Sequence, residues 1–366
     1  MRIVQLLPEL NEGGVERGTM ELSRELVKRG HESVVISAGG KLQEQIEKDG
    51  GKHITFDVCS KNPFTVPLRI VKLRNLLKEL EPDILHARSR VPAWLTFFAN
   101  KKLHYPFVTT VHGLNSVNKY SEIMTKSDKI ITVSEVVKEY ILKHYGVDED
   151  KVVAIQRGVN LDYFNVKMVD DTFIQEYKSR FLLIDSFIVT TVGRIVQAKD
   201  YETFVEAIAL AKTKIPNIKG VIVGGVRSDK EDYFQRLKLF VDSLGLTDTI
   251  VFTGSQTKMP EIYYLSDLVV STTPMMGNVA RTVSEAVAMD TPVLTTTFEG
   301  LNNIIRPGIN GDIIGTKNPN DLAKKIVKIH ADMPKKVLET LPEEFTLKVL
   351  VNKTIDVYLD VLNDKV

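Results

Sequence analysis

The chain has 366 residues, 43% hydrophobic and 26% charged, and this length exceeds what one compact core usually holds, so at least two domains are expected. Its 48 lysine and arginine residues nearly balance 47 aspartate and glutamate residues. There is therefore no overall positive field for DNA or RNA, and no nucleic-acid partner is predicted. The single cysteine, Cys59, excludes intrachain disulfides and cysteine-rich metal sites and favours a reducing compartment.

Two further features predict a cytoplasmic protein. The longest nearly apolar stretch, residues 91–99, is about half of what a membrane-spanning helix needs. The N-terminus reaches Pro8 and Glu9 before the apolar core of a signal peptide could form.

The first half of the chain alternates short β-rich runs with segments of helical period, which predicts a parallel sheet covered by helices. The predicted strands are residues 3–7, 33–37, 54–56, 84–86, 107–111, 130–133 and 152–155. A helix is predicted over residues 16–29, with Gly30 as its C-terminal stop. This pattern is typical of one doubly wound unit.

A polar segment, residues 160–171, separates a second series of the same kind. Its predicted strands are 188–192, 220–223, 250–252, 268–271 and 293–296, and its predicted helices are 201–214, 231–244, 259–265 and 281–289. One amphipathic helix is predicted at the end, over residues 347–362. Two similar α/β halves predict a cleft between them.

Ligands of open parallel sheets bind beyond the carboxyl ends of the strands, so the residues after each strand are the candidate site. Gly13 and Gly14 follow the first strand and open a helix, where backbone N–H groups favour an anion, although an ordinary turn is the alternative. Arg194 and Lys199 follow the strand 188–192, and their two charges suit a diphosphate, with a solvated loop as the alternative.

Three more strand ends carry polar residues. His112 follows the strand 107–111, and its imidazole suits a sugar hydroxyl or a phosphate oxygen, although a packing role is the alternative. The backbone around residues 281–283 and the carboxylate of Glu285 suit phosphate oxygens and ribose hydroxyls, respectively, although a helical glutamate is ordinarily solvated. Arg88 and Arg90 follow the strand 84–86, where they would either meet an anionic acceptor or bridge surface carboxylates.

Residues 67–80 and 92–102 mix basic with apolar and aromatic side chains. Such faces bind anionic lipid at the inner surface of the cell membrane or, as the favoured alternative, simply pack as ordinary helices on the sheet.

Taken in order, these motifs resemble glycosyltransferase family 4, the retaining enzymes of the GT-B fold that build bacterial surface glycans. The resemblance rests on Gly-Gly-Val-Glu-Arg at 13–17, Thr-Val-His-Gly at 110–113, Val-Gly-Arg at 192–194 with Lys199, and Arg-Thr-Val-Ser-Glu-Ala at 281–286. It implies an α/β chain of two Rossmann-like doubly wound domains facing across a cleft. The implied domains are an acceptor-side domain over 1–165, a nucleotide-sugar domain over 166–345, and a C-terminal helix over 346–366 that packs back on the first domain.

The resemblance also implies an activity: transfer of a sugar from a nucleoside diphosphate of the UDP or GDP type to a glycan or lipid-linked acceptor. Arg194 and Lys199 would neutralise the diphosphate in place of a metal ion, His112 would contact the transferred sugar, and Gly14 would offer its amide to the donor phosphates. The binding set is completed by Gly13 and by Arg281, Thr282, Val283 and Glu285, the last of which would hold the ribose. No bound cofactor and no metal are expected.

One departure from the family pattern bears on activity. Position 277, eight residues before Glu285, is a glycine where the family usually has a sugar-facing glutamate, and Glu299-Gly300 with Asn303 replaces another common motif. The alternative hypothesis is therefore a degenerate subunit that binds nucleotide sugar without transferring it. A sugar-nucleotide epimerase of the same fold would need further acid–base carboxylates that the sequence does not identify.

Overall fold

Two parallel β-sheets organise the chain in a computed structural model that describes residues 1–11, 13–274, 281–296 and 304–364. Contacts divide the chain into two units. Unit 1 comprises Met1–Arg157 and Lys348–Val366, and unit 2 comprises Gly158–Leu347. The boundary between the units thus follows Arg157, whereas the sequence predicts residue 165.

Unit 1 contains a seven-stranded sheet with the strand order β3-β2-β1-β4-β5-β6-β7, and every described pair in it is parallel. The strands are β1 (Arg2–Leu6), β2 (Glu32–Ser37), β3 (Lys52–Thr55), β4 (Ile84–Ala87), β5 (Phe107–Val111), β6 (Lys129–Thr132) and β7 (Val152–Ala154). The helices are α1 (Gly14–Lys28), α2 (Gln43–Lys48), α3 (Val66–Leu80), α4 (Arg90–Asn100), α5 (Lys119–Glu122) and α6 (Glu135–Tyr145), together with the C-terminal α13 (Leu347–Asn363).

Unit 2 repeats the plan with a six-stranded parallel sheet in the order β10-β9-β8-β11-β12-β13. Its strands are β8 (Phe187–Val192), β9 (Ile218–Val223), β10 (Ile250–Gly254), β11 (Leu268–Ser271), β12 (Val293–Thr296) and β13 (Gly311–Ile314). Its helices are α7 (Asp171–Arg180), α8 (Tyr201–Lys212), α9 (Glu231–Ser243), α10 (Met259–Tyr264), α11 (Arg281–Ala288) and α12 (Pro319–Ala331). The predicted α/β fold with two doubly wound sheets is confirmed.

The central strands are buried on both faces, which explains their continuous apolar runs. The consecutive residues Ile3 and Val4 of β1, and Ile188 and Val189 of β8, point to opposite faces and are all buried. Each predicted strand is present, with its ends shifted by at most two residues, and the sequence does not predict β13. The polar segment 160–171 contributes to the core of unit 2 through Phe164, which is 4% exposed.

Helix α13 belongs to unit 1 although it follows all of unit 2 in the chain. The Tyr358 hydroxyl lies 2.7 Å from Nδ1 of His86 on β4, and His86 Nε2 lies 2.6 Å from Oγ1 of Thr110 on β5. Arg29 donates to Oδ1 of Asn352 at 3.0 Å. The contact of Tyr358 with His86 ties α13 to the centre of the sheet, and the contact of Asn352 with Arg29 ties it to the end of α1.

Candidate functional site

Each sheet has a topological switch point, where the connections of neighbouring strands run in opposite directions and a crevice opens at the carboxyl ends. In unit 1 the switch point lies between β1 and β4, and in unit 2 it lies between β8 and β11. The predicted site residues Arg194 and Lys199 follow β8 directly. Gly13 and Gly14 follow β1, and His112 follows β5, two strands away from β1.

Close backbone packing shapes the end of β8. A Cβ added to Gly224 would overlap the carbonyl oxygen of Gly193, so only glycine allows these two strand ends to approach so closely. A Cβ added to Gly193 would lie 3.1 Å from Cε of Lys199, so the lysine stem crosses directly over Gly193. The strand end therefore fixes the course of the Lys199 side chain.

Hydrogen bonds hold the same loop from three sides. Ile195 donates its N–H to the Gly225 carbonyl at 3.0 Å, and the Tyr201 hydroxyl donates to the Gly193 carbonyl at 2.7 Å. Thr272, just after β11, places its hydroxyl 2.9 Å from the carbonyl oxygen of Lys199. The loop is thus braced across the switch point before any ligand binds.

Arg194 and Lys199 form a positive pair without a counterion among the described residues. Arg194 is exposed, whereas Lys199 is half-buried. Burial, followed by the nearby Arg194 charge, lowers the pKa of Lys199 below its ordinary value. An anion placed here would relieve the repulsion between the two cations, which is the electrostatic setting expected of a phosphate site.

Glu285, predicted to hold a ribose, is buried on α11 at 5% exposure. Its Oε2 accepts a hydrogen bond from the Tyr263 hydroxyl at 2.8 Å, and its Oε1 lies 3.2 Å from Nε of Arg281. Its orientation is therefore fixed, and each carboxylate oxygen retains capacity for a further hydrogen bond.

The other predicted residues of this helix divide between surface and core. Thr282 is half-buried, whereas the Val283 side chain is fully buried in the hydrophobic core, so Val283 has only its backbone to offer a ligand. Gly277 and its neighbours Asn278, Val279 and Ala280 lie outside the described residues, as do Glu299, Gly300 and Asn303.

In unit 1, Gly14 is the first residue of α1 and Gly13 is its extended N-cap. The Glu16 carboxylate folds back over Gly13, where a Cβ would overlap it. The positive end of the helix thus already faces a carboxylate of its own chain. The predicted contact between these glycines and donor phosphates remains a prediction.

His112 is half-buried, and both of its ring nitrogens are shielded from solvent. Burial, together with the positive charges of Arg88 and Arg157 and the nearby His86, holds the pKa of His112 well below its ordinary value. The imidazole is therefore neutral at pH 7 and carries one N–H donor and one acceptor nitrogen. The predicted contact of His112 with the transferred sugar remains a prediction.

The two arginines after β4 have different surroundings. Arg88 is buried at 9% exposure, so the alternative of a surface bridge to carboxylates is wrong for it. The Arg90 guanidinium lies 5.3 Å from the ring centroid of Tyr120 and donates to Oγ of Ser121 at 3.2 Å. The environment of Arg88 and the contact between His86 and Tyr358 could not be read from local sequence, because their partners lie far away in the chain.

No helix in the described part of the chain is long and apolar enough to cross a bilayer. Within the same residues, no group of three or more histidine, cysteine, aspartate or glutamate side chains is arranged to hold a metal ion.

Two family models match consecutive parts of the chain. The model described as Glycosyltransferase Family 4 matches residues 12–163, and the model described as Glycosyl transferases group 1 matches residues 174–339. The first match lies almost entirely within unit 1, and the second lies within unit 2.

Three similar proteins match over nearly the whole chain. A glycosyltransferase structure from Rickettsia africae is 30% identical, with a TM-score of 0.89 and coverage of 99% of this chain and 98% of that one. An uncharacterized glycosyltransferase of Methanocaldococcus jannaschii is 26% identical over 94% of each chain. A UDP-Gal:alpha-D-GlcNAc-diphosphoundecaprenol alpha-1,3-galactosyltransferase of Escherichia coli is 24% identical over 99% of this chain and 97% of its own. With both doubly wound sheets matched in order, the chain belongs to the family 4, group 1 glycosyltransferases of the GT-B fold.

Proposed function

We propose that the chain transfers a sugar from a nucleoside-diphosphate sugar to a glycan or lipid-linked acceptor, with the donor diphosphate bound at the switch point of unit 2. The observation that carries this proposal is the braced loop after β8, whose Arg194 and Lys199 lack a counterion among the described residues. Preorganised positive charge at the position where a leaving group gains negative charge lowers the barrier to its departure.

The proposed reaction retains configuration at the anomeric carbon. The bond between that carbon and the β-phosphate oxygen breaks, and the acceptor oxygen bonds to the same face of the sugar. The departing diphosphate takes the acceptor proton, so the step needs no nucleophile from the protein. Arg194 and Lys199 stabilise the leaving diphosphate, and His112 holds a sugar hydroxyl. Because two side chains supply the charge, the proposed reaction is independent of metal ions.

UDP is the proposed nucleotide. The support is the similarity to the Escherichia coli enzyme, whose name specifies UDP-Gal as the donor and a sugar linked to diphosphoundecaprenol as the acceptor. In this chain Glu285 would accept hydrogen bonds from the ribose hydroxyls with the orientation that Tyr263 and Arg281 impose.

Calorimetric titration with UDP, GDP and ADP tests donor binding. We expect UDP to bind most tightly and Lys199→Ala to weaken it about 10- to 100-fold, the range for one charged hydrogen bond. The control is Lys214→Ala, which removes an exposed lysine from the same unit. Equal UDP affinity in the wild type and Lys199→Ala would contradict the proposed site.

The rival proposal, a degenerate subunit that binds the donor but transfers nothing, rests on Gly277. Incubation of the wild type with labelled UDP-sugars separates the two, because an active enzyme slowly hydrolyses its donor even without the acceptor. Nucleotide binding without hydrolysis or transfer would favour the rival. A large gain in turnover in Gly277→Glu would then identify the missing carboxylate as the cause.

We also propose that unit 1 contacts an anionic membrane from the cytoplasmic side. Residues 58–78 and 84–121 contain no aspartate or glutamate, although acidic and basic residues nearly balance over the whole chain. The exposed cations in these two segments are Lys61, Lys72, Lys78, Lys101, Lys102 and Lys119. Such a surface is attracted to anionic lipid.

The apolar side chains in the same region are unusually exposed. Phe64 is 92% exposed, Leu68 is 58% exposed and Val71 is 49% exposed, all at or near the start of α3. Nearby, a cavity of about 270 Å³ is lined by Val66 of α3 and by residues of α4 that include Trp94. Apolar side chains among lysines suit insertion at the boundary between lipid headgroups and acyl chains.

Sedimentation with vesicles tests this contact. We expect the wild type to sediment with phosphatidylglycerol vesicles at low salt and to remain in solution with phosphatidylcholine vesicles. Phe64→Ser and Lys72→Glu should each reduce the bound fraction. Leu182→Ser is the control, since Leu182 is 76% exposed in unit 2. Sedimentation that does not depend on lipid charge, or that Leu182→Ser reduces as strongly as Phe64→Ser, would refute the contact.

A further inference from the structure

The switch point of unit 1 contains a buried cation that the proposed donor site does not use. Arg88 follows β4 directly, and its backbone N–H donates to the Leu6 carbonyl of β1 at 2.9 Å, which places Arg88 between the two strands of the switch point. Its Nη2 lies 3.6 Å from the position that a Cβ on Gly18 would take, so the side chain reaches toward α1. The guanidinium therefore lies at the edge of the sheet where ligands of this fold class bind.

The hydrogen-bonding capacity of this guanidinium is largely unused by the described residues. Nη1 donates to Oε1 of Gln5 at 3.2 Å, but Nε is shielded from solvent and has no acceptor among the described residues. No carboxylate of the described chain forms an ion pair with Arg88. Burying a cation with one neutral partner is costly, and proteins usually satisfy such a charge with an anion.

Titratable groups from several elements surround Arg88. Arg157, His112 and His86 belong to the same cluster, in which Arg88 disfavours the protonated form of both histidines. The Tyr358 hydroxyl and Glu21 on α1 both act to raise the pKa of Arg88. Burial nevertheless lowers the pKa of Arg88 to about 10, so desolvation outweighs these two partners.

We propose that Arg88 binds a phosphate or carboxylate group of the acceptor, so that the chain selects an anionic acceptor. This inference rests on the proposed function, which assigns the donor diphosphate to Arg194 and Lys199 of unit 2 and so leaves the cation of unit 1 to the other substrate. Gln5 is a positioning residue, since its amide oxygen accepts from Nη1. A guanidinium held by one neutral partner retains the N–H donors that phosphate and carboxylate recognise.

The test is a titration of the full-length chain with inorganic phosphate, and separately with acetate, in the presence of saturating UDP. The signals of the His86 and His112 ring protons, assigned with His→Gln variants, report on the site by NMR. We expect a saturable shift of these signals in the wild type with at least one anion. Arg88→Gln should weaken the affinity at least about 10-fold, and Arg88→Lys should weaken it less because it keeps the charge.

The matched control is Arg74→Gln. Arg74 lies in the same unit but donates to the carbonyl oxygens of Ala99 and Phe98. It should leave the anion titration unchanged. Circular dichroism and urea unfolding identify variants that fail to fold. If Arg88→Gln fails to fold, the affinity of Arg88→Lys still decides the test. A linear shift without saturation, or equal affinity in the wild type and both Arg88 variants, would overturn the inference.

The same samples separate this inference from the proposed donor site. If UDP fails to bind the wild type, the donor site in unit 2 is refuted, while the histidine signals still decide whether unit 1 binds an anion. If UDP binds and the histidine signals do not respond to phosphate or acetate, only the anionic acceptor is refuted.

Discussion

The two switch points use the same sheet geometry but place their cations differently. In unit 2, Arg194 is exposed and Lys199 is only half-buried, with its stem crossing over Gly193. In unit 1, Arg88 is buried beside two histidines whose pKa values lie well below 6.5. An exposed cation exchanges water for a ligand at little cost in free energy. A buried cation has already lost its water, so it is unfavourable unless an anion pairs with it. All three cations follow a strand of a parallel sheet, so position alone does not determine the role of the charge. The degree of burial does.

The largest effect expected is on catalysis in unit 2. Arg194→Ala should lower kcat/KM for sugar transfer or donor hydrolysis about 100-fold, the usual loss when one preorganised charge donor is removed. Because Arg194 is exposed, the free energy of unfolding should change little. Steady-state kinetics and urea unfolding on the same preparation check both parts. A large loss of stability with unchanged activity would make Arg194 a structural residue and remove the contrast with Arg88.

The second prediction concerns the glycines at the two switch points. Gly224→Ala should destabilise the chain by about 2 kcal/mol, because the new Cβ meets the backbone carbonyl of Gly193, which cannot move aside. Gly13→Ala should cost only a few tenths of a kcal/mol at most, since the obstacle there is the end of the Glu16 side chain. Urea denaturation of both variants measures the difference. Equal effects would contradict the close approach of the strand ends in unit 2.

The third prediction tests the buried histidines of unit 1. Their lowered pKa values mean that the unfolded chain binds more protons than the folded chain as the pH falls below about 6.5. The free energy of unfolding should therefore fall with decreasing pH, by up to about 1.4 kcal/mol per pH unit for each histidine. Urea unfolding at several values between pH 7 and pH 5 measures this slope.

Variants identify the groups behind that slope. His112→Gln and His86→Asn should each make it shallower, and the exposed His144→Asn should not. A slope that is unaffected by both buried substitutions would show that other groups control the acid sensitivity of the chain.

The smallest effect expected comes from the contact of α13 with the sheet. Tyr358→Phe removes the hydroxyl that meets His86 Nδ1 at 2.7 Å and should cost about 1 kcal/mol, as for one buried hydrogen bond. Thermal unfolding compares it with Tyr264→Phe, a substitution at a tyrosine that is 45% exposed. If Tyr358→Phe were neutral, the hydrogen bond between Tyr358 and His86 would contribute nothing to holding α13 in unit 1.

Much of the fold could be predicted from the sequence because its signals are local. Buried central strands appear as short apolar runs, and α13 appears as an amphipathic period that ends within one residue of the observed helix. Strand β13 was missed because Gly311–Ile314 is only four residues long and contains glycine and aspartate. The core contact of Phe164 in the segment 160–171 could not be predicted, because its neighbours in the sequence are mostly polar.

In the candidate site, too, features that depend on local sequence could be predicted and those that depend on distant contacts could not. The positions of Arg194 and Lys199 after a strand follow from local pattern and the rule for parallel sheets. The fixed orientation of Glu285 depends on Tyr263, and the burial of Arg88 depends on packing against Gln5, which is 83 residues away in the chain. His86 meets Tyr358 across 272 residues. A local sequence pattern does not indicate contacts at such separations. The burial of Arg88 and the contact of His86 with Tyr358 could therefore be identified only from the structure.

The central claim is that Arg194 and Lys199 bind the donor diphosphate, and a crystal structure of the chain with UDP tests it most directly. We expect nitrogen atoms of both side chains within about 3 Å of phosphate oxygens, and hydrogen bonds from the ribose hydroxyls to the Glu285 carboxylate. Density for the diphosphate at another place, with Arg194 and Lys199 directed into solvent, would contradict it.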